Sequence, residues 1–358
     1  MGGILYSTKE EIEEPDNQEI LDLNELKCII NDQTGKVLKL PFCNYQRNMT
    51  LIRCLLYAKK ANKILVGTNH GLYICNSTNF EMENALNPAS TDGCFYDCVN
   101  STDSFFLLER KDGTIVTSAR DNKMRIYDLF KLECIKEIII DSKIHATVYD
   151  GAELPKGNLV VAFAESILIY DGKSFELVNK IEEYKSYVHA VCSMNDNKFI
   201  TASYEDSRLI FWKINTDNYI KDYYLNKIKI CTNKILIFDE EKNNVIVGAR
   251  NNILIINGNN YQIIKKIEIR KDEFYYTKYI LLLEKSSFIA ANNQGELFVY
   301  DNKYNLRSQF KNNNIVDDIA FCNKCLLLTY GNHCIKVLKN SNEEAKISKY
   351  CRADYDSD

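Results

Sequence analysis

One short pattern recurs along this chain. A run of apolar residues is followed by a brief polar turn, then by a second apolar run closing on an aromatic or aliphatic residue and a polar one. Seven copies are found: KILVGTNHGLYICN (63–76), TIVTSARDNKMRIYD (114–128), NLVVAFAESILIYD (158–171), KFITASYEDSRLIFWK (198–213), NVIVGARNNILIIN (244–257), SFIAANNQGELFVYD (287–301) and KCLLLTYGNHCIKVLK (324–339). Their first apolar residues are Ile64, Ile115, Leu159, Phe199, Val245, Phe288 and Leu326, spaced 38 to 51 residues apart. Two strands joined by a turn, repeating every 40–45 residues or so, is the sequence signature of four-stranded propeller blades.

The register extends beyond the pattern. Four residues after each copy stands an aromatic or leucine, and ten after it an aliphatic: Phe80 and Leu86, Leu132 and Ile138, Phe175 and Ile181, Tyr261 and Ile267. In two copies the pair slips, to Tyr304 and Phe310 and to Tyr219 and Leu225. These residues predict a third strand with one packed face. Upstream of the pattern lie CLLY, FFLL, YVHAVCSM, ILIF, YILLLE and DIAF, which supply a fourth. The fold expected is an all-β, seven-bladed β-propeller of four-stranded antiparallel blades.

Two copies carry a family resemblance. SARDNKMRIYD (118–128) and SYEDSRLIFWK (203–213) resemble WD repeats, with Tyr127-Asp128 at the Trp-Asp position of one and Trp212, the only tryptophan, in the other. The resemblance implies a hydrogen-bonded set that locks each blade. It falls on Ser203, Asp206 and Trp212, with Tyr184 at the histidine position, and on Ser118 and Asp121 with Tyr127 replacing the tryptophan. It also implies a narrow binding face at the turns between the second and third strands. The residues there are Asn69, His70, Arg120, Asn122, Tyr204, Glu205, Arg250, Asn251, Asn293, Gln294 and Asn332, with Tyr204, Arg120 and Arg250 as anchors. The competing explanation is that Asn and Asp stand at these places because they tolerate turn geometry.

The seventh copy lacks an outer strand, whereas NDQTGKVLKL before the first copy resembles one. Residues around Lys36–Leu40 are expected to pair with Cys334–Leu338 and close the ring, removing an open sheet edge. The competing arrangement places 26–42 in a partial eighth blade with the tail around Ala345–Tyr350. The domain plan is an acidic arm at 1–24, one propeller at 25–340 and a polar tail at 341–358. The longest interruption, 87–104, is expected to be an extended loop.

Composition narrows the function. Hydrophobic residues at 46% and charged ones at 26% exclude wholesale disorder. A net charge of −4 argues against coating nucleic acid. No apolar run reaches the roughly 18 residues of a membrane span. Thirteen scattered cysteines and no leader-like segment predict free thiols in the cytosol or nucleus. Cys322 and Cys325 have zinc-knuckle spacing with His333 and Cys334 nearby, but the blade pattern places them across a tight turn as small buried hydrophobes. No phosphate-binding glycine motif, nucleophile elbow or sialidase Asp-box is present. His70, His145, His189 and His333 are scattered, His189 lying in a strand as a core or edge residue. No catalytic residue, metal or cofactor is therefore expected.

The reading that follows is a non-catalytic scaffold or adaptor, monomeric by itself, without membrane insertion, contacting other proteins of a larger complex. The alternative is a ribonucleoprotein- or ribosome-associated propeller. It would touch RNA through local Lys/Arg groups such as Lys265, Lys266 and Arg270.

Overall fold

The structure is a computed structural model. It describes residues 52–68, 71–86, 106–119, 122–140, 148–195, 197–215, 218–228, 236–269, 276–311, 316–323, 325–330 and 334–338, and the backbone of 36–39. The acidic arm, the 87–104 segment, the polar tail, His145 and Arg270 lie outside the described residues, as do Asn69, His70, Arg120, Asp121, Asn332 and His333.

Among the described residues, twenty-eight strands form seven four-stranded antiparallel sheets, six of them simple meanders and the seventh completed by a strand from before the first. Strand β1 (Lys36–Lys39) is the first among the described residues. Blade 1 holds β2 (Ile52–Ala58), β3 (Lys63–Thr68), β4 (Gly71–Asn76) and β5 (Met82–Leu86). Blade 2 holds β6 (Leu107–Glu109), β7 (Ile115–Ala119), β8 (Lys123–Asp128) and β9 (Glu133–Ile139). Blade 3 holds β10 (Val148–Glu153), β11 (Leu159–Phe163), β12 (Ser166–Tyr170) and β13 (Leu177–Ile181). Blade 4 holds β14 (Ala190–Met194), β15 (Lys198–Ser203), β16 (Arg208–Asn215) and β17 (Asn218–Asn226). Blade 5 holds β18 (Leu236–Asp239), β19 (Asn244–Ala249), β20 (Asn252–Asn257) and β21 (Ile263–Glu268). Blade 6 holds β22 (Thr277–Leu282), β23 (Phe288–Asn292), β24 (Glu296–Tyr300) and β25 (Leu306–Lys311). Blade 7 holds β26 (Val316–Cys322), β27 (Cys325–Tyr330) and β28 (Cys334–Leu338), completed by β1. The first strands β2, β6, β10, β14, β18, β22 and β26 neighbour one another in that cyclic order, and β26 returns to β2. The fold is a seven-bladed β-propeller.

The two middle strands of each blade are sandwiched between neighbouring blades, so they read as nearly continuous apolar runs. β11 and β12 are buried at every position, as are β23 and β24. Outer strands such as β13 and β21 have one face to solvent and alternate. The core therefore lies between blades. Val160, Ile169, Phe199 and Trp212 fill the space between blades 3 and 4, and Ile200, Phe211, Val245 and Val247 that between 4 and 5.

The residue four past each copy has a structural cause. Asn76, Asp128, Asp171, Asn257 and Asp301 each accept two backbone N–H groups of the following turn through one side-chain oxygen. This Asx arrangement satisfies a turn that the sheet ladder cannot. The turn ends on a residue with left-handed backbone: Phe80, Leu132, Phe175, Tyr261 and Tyr304 have φ between 56° and 63°. Such a conformation is costly for a bulky side chain, and ring burial offsets it at Phe80, Tyr261 and Tyr304. The slip in blade 6 arises because its turn is one residue shorter, with Tyr304 N–H bonding the Asp301 carbonyl. In blade 4, β16 runs on to Asn215, which delays β17.

Closure follows the expected route. Lys36, Val37, Leu38 and Lys39 pair with Val337, Lys336, Ile335 and Cys334, and there is no eighth sheet among the described residues. Ile335 and Val337 pack with Ile64, Val66 and Leu327 between the last and first blades.

Candidate interaction surface

In a meander propeller, the turns between second and third strands emerge at the same end as the connections leading into the next blade. Asn122, Ser207 and Asn251, each with positive φ, sit in such turns. Their carbonyls accept the N–H of Ile140, Ile228 and Ile269, just past the outer strand of the same blade. Asn122 and Asn251 thus have a backbone reason for their identity.

The remaining described candidates fall into two groups. In the first, Arg250 forms a bridge to Tyr276, whose N–H is accepted by the Asn293 side chain and whose carbonyl accepts the Asn293 N–H. Gln294 projects exposed beside them, its N–H held by Asn292. This group joins blades 5 and 6.

The second group spans blades 3 and 4 and contains residues that sequence reasoning missed. Tyr149 lies at an irregularity of β10, and Tyr187 and His189 lie in the connection leading into β14. Their rings touch: Tyr149 is 5.6 Å from Tyr187 and 5.3 Å from His189, and Tyr187 meets His189 edge-on at 6.4 Å. The backbone places them by two bonds, from Val188 N–H to the Ala164 carbonyl and from His189 N–H to the Ala202 carbonyl. Glu205 brings its Oε2 to 3.8 Å from His189 Nδ1. Tyr187 and Tyr204 remain 39% and 37% exposed. Burial holds the His189 imidazole below its usual pKa, against Glu205 and the Tyr187 carbonyl, which favour the charged form.

Behind this group lies a hydrogen-bonded lock. Trp212 donates its indole N–H to Thr201 Oγ1 at 2.7 Å, and the Tyr184 hydroxyl meets the same oxygen at 2.8 Å. Ser203 is elsewhere, its Oγ accepting the Asp206 N–H at 3.4 Å. Asp206 accepts from Lys185 N–H and from Arg208, whose guanidinium lies over the Tyr184 ring. Burial alone would raise the Asp206 pKa, but Arg208 and the Lys185 N–H hold it below the usual range. The strand period allows either hydroxyl to face Trp212, since Thr201 and Ser203 share a face of β15; pairing register selects Thr201. In blade 2, Ser118 is buried and donates to the Val148 carbonyl of blade 3, and Tyr127 packs among Leu65, Ile74 and Ile115.

At the opposite end of the blades, polar groups serve as ties. Glu109 accepts the N–H groups of Lys59 and Lys60, and Glu153 accepts that of Lys111. Asp239 accepts the hydroxyls of Ser286 and Tyr304 across blades 5 and 6. Arg110 donates to the Gly172 carbonyl at 2.6 Å and lies over Phe175. Cys322 and Cys325 face each other across the hairpin of blade 7, both buried in the apolar cluster against blade 1. Among the described residues, no three His, Cys, Asp or Glu side chains converge as metal ligands, and no helix is long and apolar enough to cross a membrane.

No protein-family model matches the chain, and no curated protein matches it in sequence. Its assignment as a seven-bladed β-propeller rests on the ring of blades itself.

Proposed function

We propose that the protein is a non-catalytic, WD-repeat-like interaction platform that offers one face of its ring to other proteins of a larger complex. The observation that carries this reading is the aromatic group of blades 3 and 4. Tyr187 and Tyr204 stand half-exposed beside Tyr149, His189 and Glu205 on a backbone fixed by cross-turn hydrogen bonds. Rigid tyrosines give contact area at little entropic cost and are enriched among binding hot spots. The reactive side chains at the other end bind blade to blade, which leaves them little freedom for turnover. Protomers act singly, and the free thiols of Cys54, Cys75, Cys134, Cys192, Cys322 and Cys325 suit the reducing cytosol or nucleus.

A photo-crosslinking residue at position 187, compared with one at Glu176 in a turn at the opposite end, tests the reading in source lysate. Protein adducts confined to position 187 support it. Adducts confined to position 176, or turnover abolished by one point substitution, overturn it. The RNA alternative loses one anchor, because the Lys265 ammonium is held by the Lys303 and Tyr304 carbonyls and Asn305 Oδ1 of blade 6.

A further inference from the structure

Resting on that reading, we propose that the Tyr149–Tyr187–His189–Glu205 group, with Tyr204 beside it, receives an arginine side chain from an exposed segment of a partner protein. Three features of the group converge on this ligand.

The first is the set of ring faces. Tyr149, Tyr187 and His189 pack at mutual angles of 45° to 89°, so their faces point in different directions instead of stacking against one another. Tyrosine faces attract cations, and the planar guanidinium both stacks and charges, which an ammonium does not.

The second is the carboxylate. Glu205 is 45% exposed, and its contact among the described residues is His189 at 3.8 Å, beyond hydrogen-bond reach. Burial disfavours the charged imidazole, so His189 competes little for that carboxylate. By contrast, Glu183 and Asp206 nearby already bind Arg208. A half-exposed carboxylate beside aromatic rings favours guanidinium, whose fork can meet both oxygens.

The third is the surrounding charge. The turn of blade 3 that holds this connection through Ala164 carries Glu165, also exposed. Against Glu165 and Glu205 stands Lys185, exposed in the same connection. Among the described residues, the balance draws a basic segment and repels phosphate, so RNA is the disfavoured occupant.

The test uses the full-length chain and fluorescein-labelled nonapeptides of Gly and Ser with a central Arg-Arg, Lys-Lys or citrulline-citrulline pair, read by fluorescence anisotropy. The Arg peptide is expected to bind, with the Lys peptide about 3-fold weaker and the citrulline peptide at least about 10-fold weaker. Glu205→Gln and Tyr187→Ala, each shown by circular dichroism to melt like the parent, should each weaken the Arg peptide about 5-fold or more. Glu176→Gln, at the opposite end of the blades, should leave it unchanged and so control for general charge attraction. The proposal is overturned by equal affinity for the Arg and citrulline peptides. It is equally overturned by no binding up to about 1 mM, or by losses no larger for Glu205→Gln than for Glu176→Gln. Binding of labelled oligouridine that is lost in Tyr187→Ala, without Arg-peptide binding, assigns the patch to RNA instead. Protein adducts at position 187 together with silent Arg peptides would retain the interaction face and remove only the arginine.

Discussion

The carboxylate of Asp318, on the first strand of blade 7, accepts the backbone N–H of Leu55, on the first strand of blade 1, at 2.6 Å. Asp150 makes the equivalent bond to Val191 between blades 3 and 4 at 2.9 Å. Blade 7 thus holds blade 1 by its inner strand as well as by the apolar packing of its middle strands. Replacing Asp318 with Ala strands a buried N–H, at a cost of about 1–3 kcal/mol. Asp318→Asn keeps an acceptor and should cost less. Urea midpoints of the two variants check the order.

Deletion separates the closing strand from the segment before it. Removing residues 1–24 should leave the melting midpoint unchanged. Removing 1–42 takes away β1 and bares the edge of β28, with aggregation as the expected outcome. A soluble 43–358 fragment that melts cooperatively at the parental midpoint would show that β1 contributes nothing to closure.

Thr201→Val should be the more damaging of two hydroxyl substitutions in β15. It leaves both Trp212 N–H and Tyr184 O–H without their shared partner, costing roughly 2–4 kcal/mol. Ser203→Ala removes one long bond and should cost less than about 1 kcal/mol. Because Trp212 is the only tryptophan, its emission follows the unfolding of blade 4 directly.

Acid should weaken the protein in two stages. His189 titrates below its ordinary 6.5 because it is buried. A base with a depressed native pKa binds fewer protons folded than unfolded, so its contribution is complete above 6.5 and is lost as pH falls through the native value. Asp206 and Asp301 act further down. Burial raises both, but hydrogen bonds from Arg208 and Lys185 N–H, and from Asn305 and Lys303 N–H and Arg307, hold them below the usual carboxylate range. Their contribution disappears only as pH falls through those lowered values. Denaturation midpoints measured in steps from about pH 7.5 to 5 should decline in the parent and flatten in His189→Gln. An unchanged slope in that variant counts against the assignment.

Arg110→Lys should destabilise by about 1–3 kcal/mol despite the retained charge. The guanidinium reaches the Gly172 carbonyl of blade 3 while contacting Asp112 and Glu153, and an ammonium cannot fill that fan of acceptors. Chemical denaturation of the purified variant measures the difference.

The ring of blades was legible in the sequence because each middle strand is an apolar run bounded by a turn, and the Asx turns fix the spacing of Phe80, Phe175 and Tyr261. What stayed hidden depends on distance across the ring. Asp318 and Leu55 lie 263 positions apart, and Arg110 and Gly172 62 positions apart, with no periodicity to join them. In blade 4 Trp212 and Tyr184 meet on Thr201, which the sequence could not single out because Thr201 and Ser203 share a strand face, and Asp206 instead accepts from Lys185 N–H and Arg208. The aromatic group was hidden because Tyr149 and Tyr187 belong to different blades and meet only through the backbone bonds of Val188 and His189.

The pairing of β1 with β28 sets a timetable for the nascent chain. β1 leaves the ribosome early, yet the strand it must join is made roughly 300 residues later, which at about 5–20 residues per second is a wait of about 15–60 s. Through that interval the growing blades form an open arc, with the flank of blade 1 around Ile64 and Val66 lacking its cover from blade 7. A synthesis error that stops translation before Leu338 yields an arc with a sticky end at each side, a product that cellular proteases can tell from the finished ring.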